Sequence, residues 1–252
     1  MDLSVETIVL LAAAGFLAGA LNAAAGGGSL ISFPALIAVG YPPLTANVTN
    51  NIAVAPGYVT GATGYRRELR GQGHRILPLT VASAIGSLVG VGLILISSQS
   101  AFESIVPFLV LAACVLLAFQ PAITRRLEEH SGDRDRPGSG VLAGQALAAV
   151  YGGYFSAALG VVVLAVLGLA FDDTLQRLNA LKALLQLIIG TVSAVGFALV
   201  TPVAWTAVAI VAPASVVGGE VGARLARRVS DRALRVGIVT YGVACAVWLF
   251  VR

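Results

Sequence analysis

Apolar residues dominate six stretches long enough to cross a membrane: 45–65, 76–97, 102–122, 178–200, 203–223 and 233–251. A helix needs about 20 mostly apolar residues to span about 30 Å of hydrocarbon, so each stretch predicts one transmembrane helix. Two further apolar regions do not fit a single span. Residues 5–39 would make one helix about 50 Å long, but Asn22 and the run Gly26-Gly27-Gly28-Ser29 break it in the middle. Residues 140–171 are interrupted at 151–156, which holds Gly152, Gly153 and Ser156, and again at Gly160. Arms of about 12 residues reach only about 18 Å. Glycine in a helix costs about 1 kcal/mol relative to alanine, and both regions read as broken or re-entrant hairpins. The expected fold is an all-α polytopic membrane protein.

The basic residues orient these segments. Positive charge stays on the cytoplasmic side of short loops. Arg66, Arg67, Arg70 and Arg75 place the loop after 45–65 inside, and Arg125, Arg126, Arg134 and Arg136 do the same for 124–139. Arg177 and Lys182 mark the start of 178–200, while Arg224, Arg227, Arg228, Arg232 and Arg235 mark the last loop. Fifteen of the 16 basic residues fall in these stretches. The N-terminus and residues 40–44, 98–101 and 201–202 carry none, so they read as outside, as does the C-terminus. Each hairpin then enters and leaves on one face, from opposite sides. The chain divides into a first repeat at 1–123, a cytoplasmic linker at 124–139 and a second, inverted repeat at 140–252. Inverted repeats of this kind belong to secondary transporters. Sequence echoes point the same way: Gly19…Gly26 recurs as Gly153…Gly160, and Ser87-x-x-Gly90 as Ser215-x-x-Gly218.

Composition narrows the class further. Of 252 residues, 58% are hydrophobic and 11% charged, with a mean hydropathy of +0.91, against about 25% charged in soluble domains. That excludes soluble, disordered, collagen-like and disulfide-scaffold chains. The net charge of +4 resides in loops and forms no nucleic-acid face. Cys114 and Cys245 lie within apolar runs and read as small buried hydrophobes. Asp2 and Glu6 stand where a signal peptide would be positive, so no cleavable signal is expected. The expected location is the cell membrane.

Candidate chemistry concentrates at the breaks. A helix restarting inside the membrane presents unpaired N–H groups and the positive end of its dipole, a ready anion site. Gly26, Gly27, Gly28 and Ser29, with Asn22 as side-chain partner, form one such tip; Gly152, Gly153, Ser156 and Gly160 form the other. The plainer alternative is tight helix packing, which the four-residue spacings Gly15/Gly19, Gly57/Gly61, Gly86/Gly90, Gly140/Gly144 and Gly218/Gly222 fit and three consecutive glycines do not. Asn47, Thr49, Asn50 and Asn51 form a polar cluster whose amides suit an anion; a helix start capped by Thr45 is the competing explanation. Lys182, the single lysine, either faces a central cavity and neutralises an anion or snorkels to the cytoplasmic surface. Gln186 shares its face one turn on. Glu220 pairs with Arg224 at i,i+4 spacing, and Ser100-x-x-Glu103 reads as a capping box. Trp205 and Trp248 read as interfacial anchors. Both histidines, His74 and His130, fall in loops, so neither metal nor catalytic chemistry is expected and no cofactor is implied. Gly26–Ser29 lacks the lysine of a phosphate-binding loop.

These residues resemble a known family. GFLAGALNAAAGGGSLISFPAL followed by ANVTNNIAVAPGYVTGATGYRREL is similar to the first half of the TauE/SafE (sulfite exporter) permeases, and NALKALLQLIIGTVSAVGFAL with GGEVGARLARRVSDRALR to the second half. The resemblance implies a permease, not an enzyme, for a small sulfur-containing anion such as sulfite or an organosulfonate, working outward without a bound cofactor. The second hairpin, YGGYFSAALGVV, departs from the pattern by lacking a triple glycine. The expected site is Asn22, Gly26, Gly27, Gly28, Ser29, Asn50, Asn51, Gly153, Ser156, Lys182 and Gln186, between the hairpin tips. An anion channel and an intramembrane enzyme are the rival functions. A coupling ion, proton or sodium, and a homo-oligomer stay open.

Overall fold

The computed structural model of the protein describes residues 4–24, 26–128, 137–225 and 231–251. Every regular element among them is helical: α1 Val5–Ala24, α2 Ser29–Ala38, α3 Pro43–Gly64, α4 Gly73–Ile96, α5 Gln99–Glu128, α6 Ser139–Tyr154, α7 Leu159–Ala170, α8 Leu175–Val200, α9 Trp205–Leu225 and α10 Asp231–Val251. Five of these are long and apolar enough to cross a membrane: α1, α4, α5, α8 and α9. The chain is a multi-pass membrane protein. Helix α3 has the length but not the hydropathy, because Asn47, Thr49, Asn50 and Asn51 dilute it. Helix α1, at 20 residues, is by itself about 30 Å long and joins the set of candidate spans.

The first break falls at its glycines; the second lies at 155–158, just after Gly152 and Gly153, which are helical. Helix α1 ends at Ala24 and α2 restarts at Ser29, with Gly26 at φ +78°. Helix α6 ends at Tyr154 and α7 starts at Leu159, with Ser156 at φ 62° and Ala158 at φ 54°. The second tip thus makes its left-handed turn without glycine, at a cost of about 1–2 kcal/mol per residue. Gly160 does not interrupt the chain; it is the second residue of α7.

Two helix starts differ from expectation. Helix α3 opens with Pro43, whose fixed φ suits the first helical position, so Thr45 lies inside the helix rather than capping it. Helix α5 is capped by Ser98, whose Oγ accepts from Ala101 N–H at 3.1 Å, and Glu103 instead receives the Gln99 amide at 2.7 Å. Helix α5 also runs on to Glu128, into the region read as linker; the middle of that linker, with His130, lies outside the described residues. So do the side chain of Arg224 and the segment holding Arg227 and Arg228.

The packing is paired in a way consistent with two repeats related by a pseudo-twofold axis. Hairpin helix α1 packs on α9, and hairpin helix α6 packs on α4, so each hairpin lies against a helix of the other half of the chain. Small residues make these crossings close. A Cβ at Gly19 would strike the carbonyl of Ser215, and one at Gly153 the carbonyl of Ser87. Likewise one at Gly218 would strike Phe16 and one at Gly90 Val150. Gly57/Gly61 and Gly140/Gly144, by contrast, meet no close backbone. The main core joins both hairpins: Phe33 of α2 packs edge-on against Phe155 of the second tip, ring centroids 5.3 Å apart.

Candidate functional site

The two hairpin tips touch. A Cβ at Gly26 would lie 3.0 Å from Cα of Gly160, and one at Gly160 would lie 3.1 Å from Cα of Gly26 and 3.2 Å from the Gln186 amide. Only glycine allows two backbones this close. The other glycines of the first tip also have packing roles: Gly28 lies under the Ala18 carbonyl of α1, and Gly27 faces Leu117 at 3.2 Å. The Asn22 side chain closes this tip by accepting the Gly28 N–H at 2.8 Å. Across from it, the Tyr151 hydroxyl donates to the Ala157 carbonyl at 2.5 Å and closes the second.

Helix α3 runs beside both tips. Its polar cluster is fully buried, and three of its four members reach different neighbours. The Asn47 amide donates to the Tyr154 carbonyl at 2.8 Å, tying α3 to the second hairpin. Asn50 Oδ1 accepts from the Ser32 hydroxyl at 2.5 Å, tying it to the first. Thr49 Oγ1 accepts the Ala204 N–H at 3.1 Å. Asn51 only turns back, donating to the Asn47 carbonyl at 3.2 Å.

Below the tips, toward the arginine-bearing end, a narrow cleft lies between α1, α3 and α8. It is lined by Asn22, Gly57, Tyr58, Gly61, Tyr65, Lys182, Ala183 and Gln186, and its volume of about 20 Å³ holds about one water. Lys182 is 8% exposed and Gln186 4%, and both line the cleft. Lys182 has no hydrogen bond or ion pair among the described residues, and no carboxylate lines the cleft. Around the tips, Ser29 Oγ, Asn50 Nδ2, Ser156 Oγ and Gln186 Nε2 are buried without partners. Each such atom costs on the order of 1–3 kcal/mol, and native proteins place ligands or ordered water against them.

Of the expected residues, Asn22, Lys182 and Gln186 line the cleft, while Gly26, Gly27, Gly28, Ser29, Asn50 and Ser156 cluster at or beside the tips. Asn51 and Gly153 do not join them: one is spent on its own helix and the other on the α4–α6 crossing. Sequence reading missed Tyr58 and Tyr65. The signal was present, since the face of α3 bearing Asn50 continues at helical spacing through Gly57, Gly61 and Tyr65.

A second polar cluster, also unforeseen, sits at the arginine-bearing end. Arg75, buried on α4, donates to Asp173 at 2.6 Å and stacks 4.7 Å above the Phe171 ring. Arg177 joins the same carboxylate at 2.9 Å. Burial opposes ionisation of Asp173, but the hydrogen bonds from Arg177 and Arg75 outweigh it and hold the carboxyl below its ordinary value. Gln72 adds a bond to the Arg177 carbonyl at 3.3 Å. Residues read as topology markers thus fasten the start of α4 to the α7–α8 loop.

The family model described as "Sulfite exporter TauE/SafE" matches residues 11–249. The chain belongs to the TauE/SafE family. Among curated relatives, a probable membrane transporter protein of Haemophilus influenzae is 31% identical over 54% of this chain and 50% of its own length. The probable membrane transporter protein ORF9 of a Sinorhizobium species is 30% identical over 52% of this chain and 49% of its own. These two matches span about half the relatives' length. Probable membrane transporter protein YfcA of Escherichia coli is 28% identical over 88% of this chain and 82% of its own. No solved structure matches. Each of these relatives carries the name of a probable membrane transporter.

Proposed function

We propose that the protein is a secondary transporter for a small anion, bound between the hairpin tips and the cleft below them, with access alternating as one repeat moves against the other. The observation that carries this reading is Lys182: a largely buried lysine with no counter-charge among the described residues, beside the Asn22 and Gln186 amides. A buried cation of this kind is stabilised by an anion. Ser29, Asn50, Ser156 and Gln186 supply unpartnered polar atoms around the tips, which suits an oxyanion. The family description supports sulfite as substrate and export as direction.

A carrier is favoured over a channel by the contact of Gly26 with Gly160, which puts backbone where a pore would run. Proteoliposomes loaded with unlabelled sulfite and diluted into trace labelled sulfite separate the two. A carrier gives a transient overshoot of label through counterflow; a channel gives monotonic equilibration. Absence of sulfite and sulfonate flux by protein of proven foldedness contradicts the transport reading of this site.

A further inference from the structure

The cleft holds one titratable cation, and its surroundings decide what that cation does. Lys182 lies seven residues past the first residue of α8, about 10 Å along the helix, too deep for a mere surface charge. Of the helices packed on α8, α3 presents Tyr58 and Tyr65 to the cleft. Helix α4 carries His74, which is exposed, and Arg75, which is committed to Asp173. Helix α6 carries Tyr151, tied to the Ala157 carbonyl, and Tyr154, and α7 bears no titratable residue. On α8 itself, Arg177 also faces Asp173. Glu68, in the loop after α3, has one buried carboxylate oxygen but no bond to Lys182. Among the described residues, no carboxylate or imidazole lines the cleft to take a proton from the lysine or to balance its charge.

We propose that Lys182 is the proton-coupling site of the carrier, so that one proton and one anion are bound and released together. The inference rests on the anion reading of the cleft given above. An unpaired ammonium in a low-dielectric site costs several kcal/mol, and an anion beside it removes most of that cost. Proton and anion therefore raise each other's affinity by the same factor. Above the lysine's titration, the amine gains one proton in the loaded state and the anion sits against the resulting ammonium; on release both leave, and the empty cleft returns with a neutral amine. The cycle moves a neutral sum of charge for a monoanion. Arginine cannot take part, because it does not deprotonate.

The test uses purified full-length protein with methanesulfonate and 2-hydroxyethanesulfonate, which stay ionised across the range. Dissociation constants are measured from about pH 6 to about pH 10 for wild type and Lys182→Arg, with calorimetry in buffers of differing protonation enthalpy. Wild-type affinity is expected to fall about tenfold per pH unit above the lysine's titration, with about one proton taken up per anion there. Lys182→Arg is expected to bind with a flat profile and no proton uptake. Wild-type binding that is independent of pH with no proton uptake overturns the coupling while leaving the anion site intact. A pH profile in Lys182→Arg equal to that of wild type also overturns it. If the arginine variant does not fold, the calorimetric proton count in wild type decides alone. Failure of wild type to bind either sulfonate at any pH removes the anion reading, and the coupling with it.

Discussion

Gly26→Ala is the perturbation that probes the meeting of the two hairpins. Two costs add. The residue sits at φ +78°, where an L side chain costs about 1–2 kcal/mol. Its new methyl would lie 3.0 Å from Cα of Gly160, and backbone on both sides cannot yield cheaply, so overpacking adds about 1–3 kcal/mol. The expected loss is about 2–5 kcal/mol. Gly27→Ala is the internal control, because its methyl meets only the Leu117 side chain at 3.2 Å, which can turn aside. Thermal unfolding in detergent, followed by loss of monodispersity at a fixed heating rate, reads the difference. With about 2–4 °C per kcal/mol for a chain of this size, Gly26→Ala is expected to melt at least about 5 °C below Gly27→Ala. Gly160→Ala should resemble Gly26→Ala, and the double variant should cost less than the two together, since both methyls occupy one contact. Equal melting of the two single variants at 26 and 27, or strict additivity at 26 and 160, refutes the tip contact.

Three further outcomes follow from other parts of the molecule. Ser156→Gly removes both a left-handed serine and a buried hydroxyl without a partner. It is expected to raise stability by about 1–2 kcal/mol while weakening anion affinity, as thermal shift and binding together would show. Asp173→Asn leaves the buried Arg75 guanidinium without its carboxylate and should cost about 1–3 kcal/mol at neutral pH. Because the carboxyl of Asp173 is held below its ordinary value, that stabilisation is complete above about pH 4 and fades as pH falls through the lower folded value. Melting curves of wild type and Asp173→Asn should converge only in that acid range; a gap that persists there points to a cause other than ionisation. Asn22→Ala frees the Gly28 N–H and is expected to cost about 1–3 kcal/mol, a loss that Asn22→Asp restores in part by keeping an acceptor.

Much of the fold was legible because its signals are local. The run Gly26-Gly27-Gly28 marked the first break, the pair Gly152-Gly153 lay just before the second, and hydropathy marked the long helices. The echoes between halves also carried geometry: Gly19 and Gly153 stand in equivalent contacts with Ser215 and Ser87. What could not be read is which apolar face meets which. A stripe of small residues shows that a helix packs closely but not on whom, and so the exchange of hairpins between the two halves of the chain, α1 on α9 and α6 on α4, left no trace. The same limit separated Gly153 from the site: spacing cannot distinguish a glycine that receives a ligand from one that receives a carbonyl. Asp173 went unnoticed because the acids of a short loop show no pattern until folding brings Arg75 from 98 residues away. Lys182 was legible as unusual, but only burial on α8 decided that it faces inward. Helix α5 outran its predicted end because Arg125 and Arg126 are good helix formers, and hydropathy sees only where the oil stops.

The central claim is that an anion sits against Lys182, and equilibrium binding of labelled sulfite to purified protein tests it most directly. Wild type, Lys182→Met and Arg70→Gln are compared, the last removing one positive charge outside the cleft. Loss of at least about tenfold in affinity, about 1.4 kcal/mol, in Lys182→Met with wild-type affinity in Arg70→Gln is the expected result. Equal binding by all three, with Lys182→Met as stable as wild type, would contradict the account.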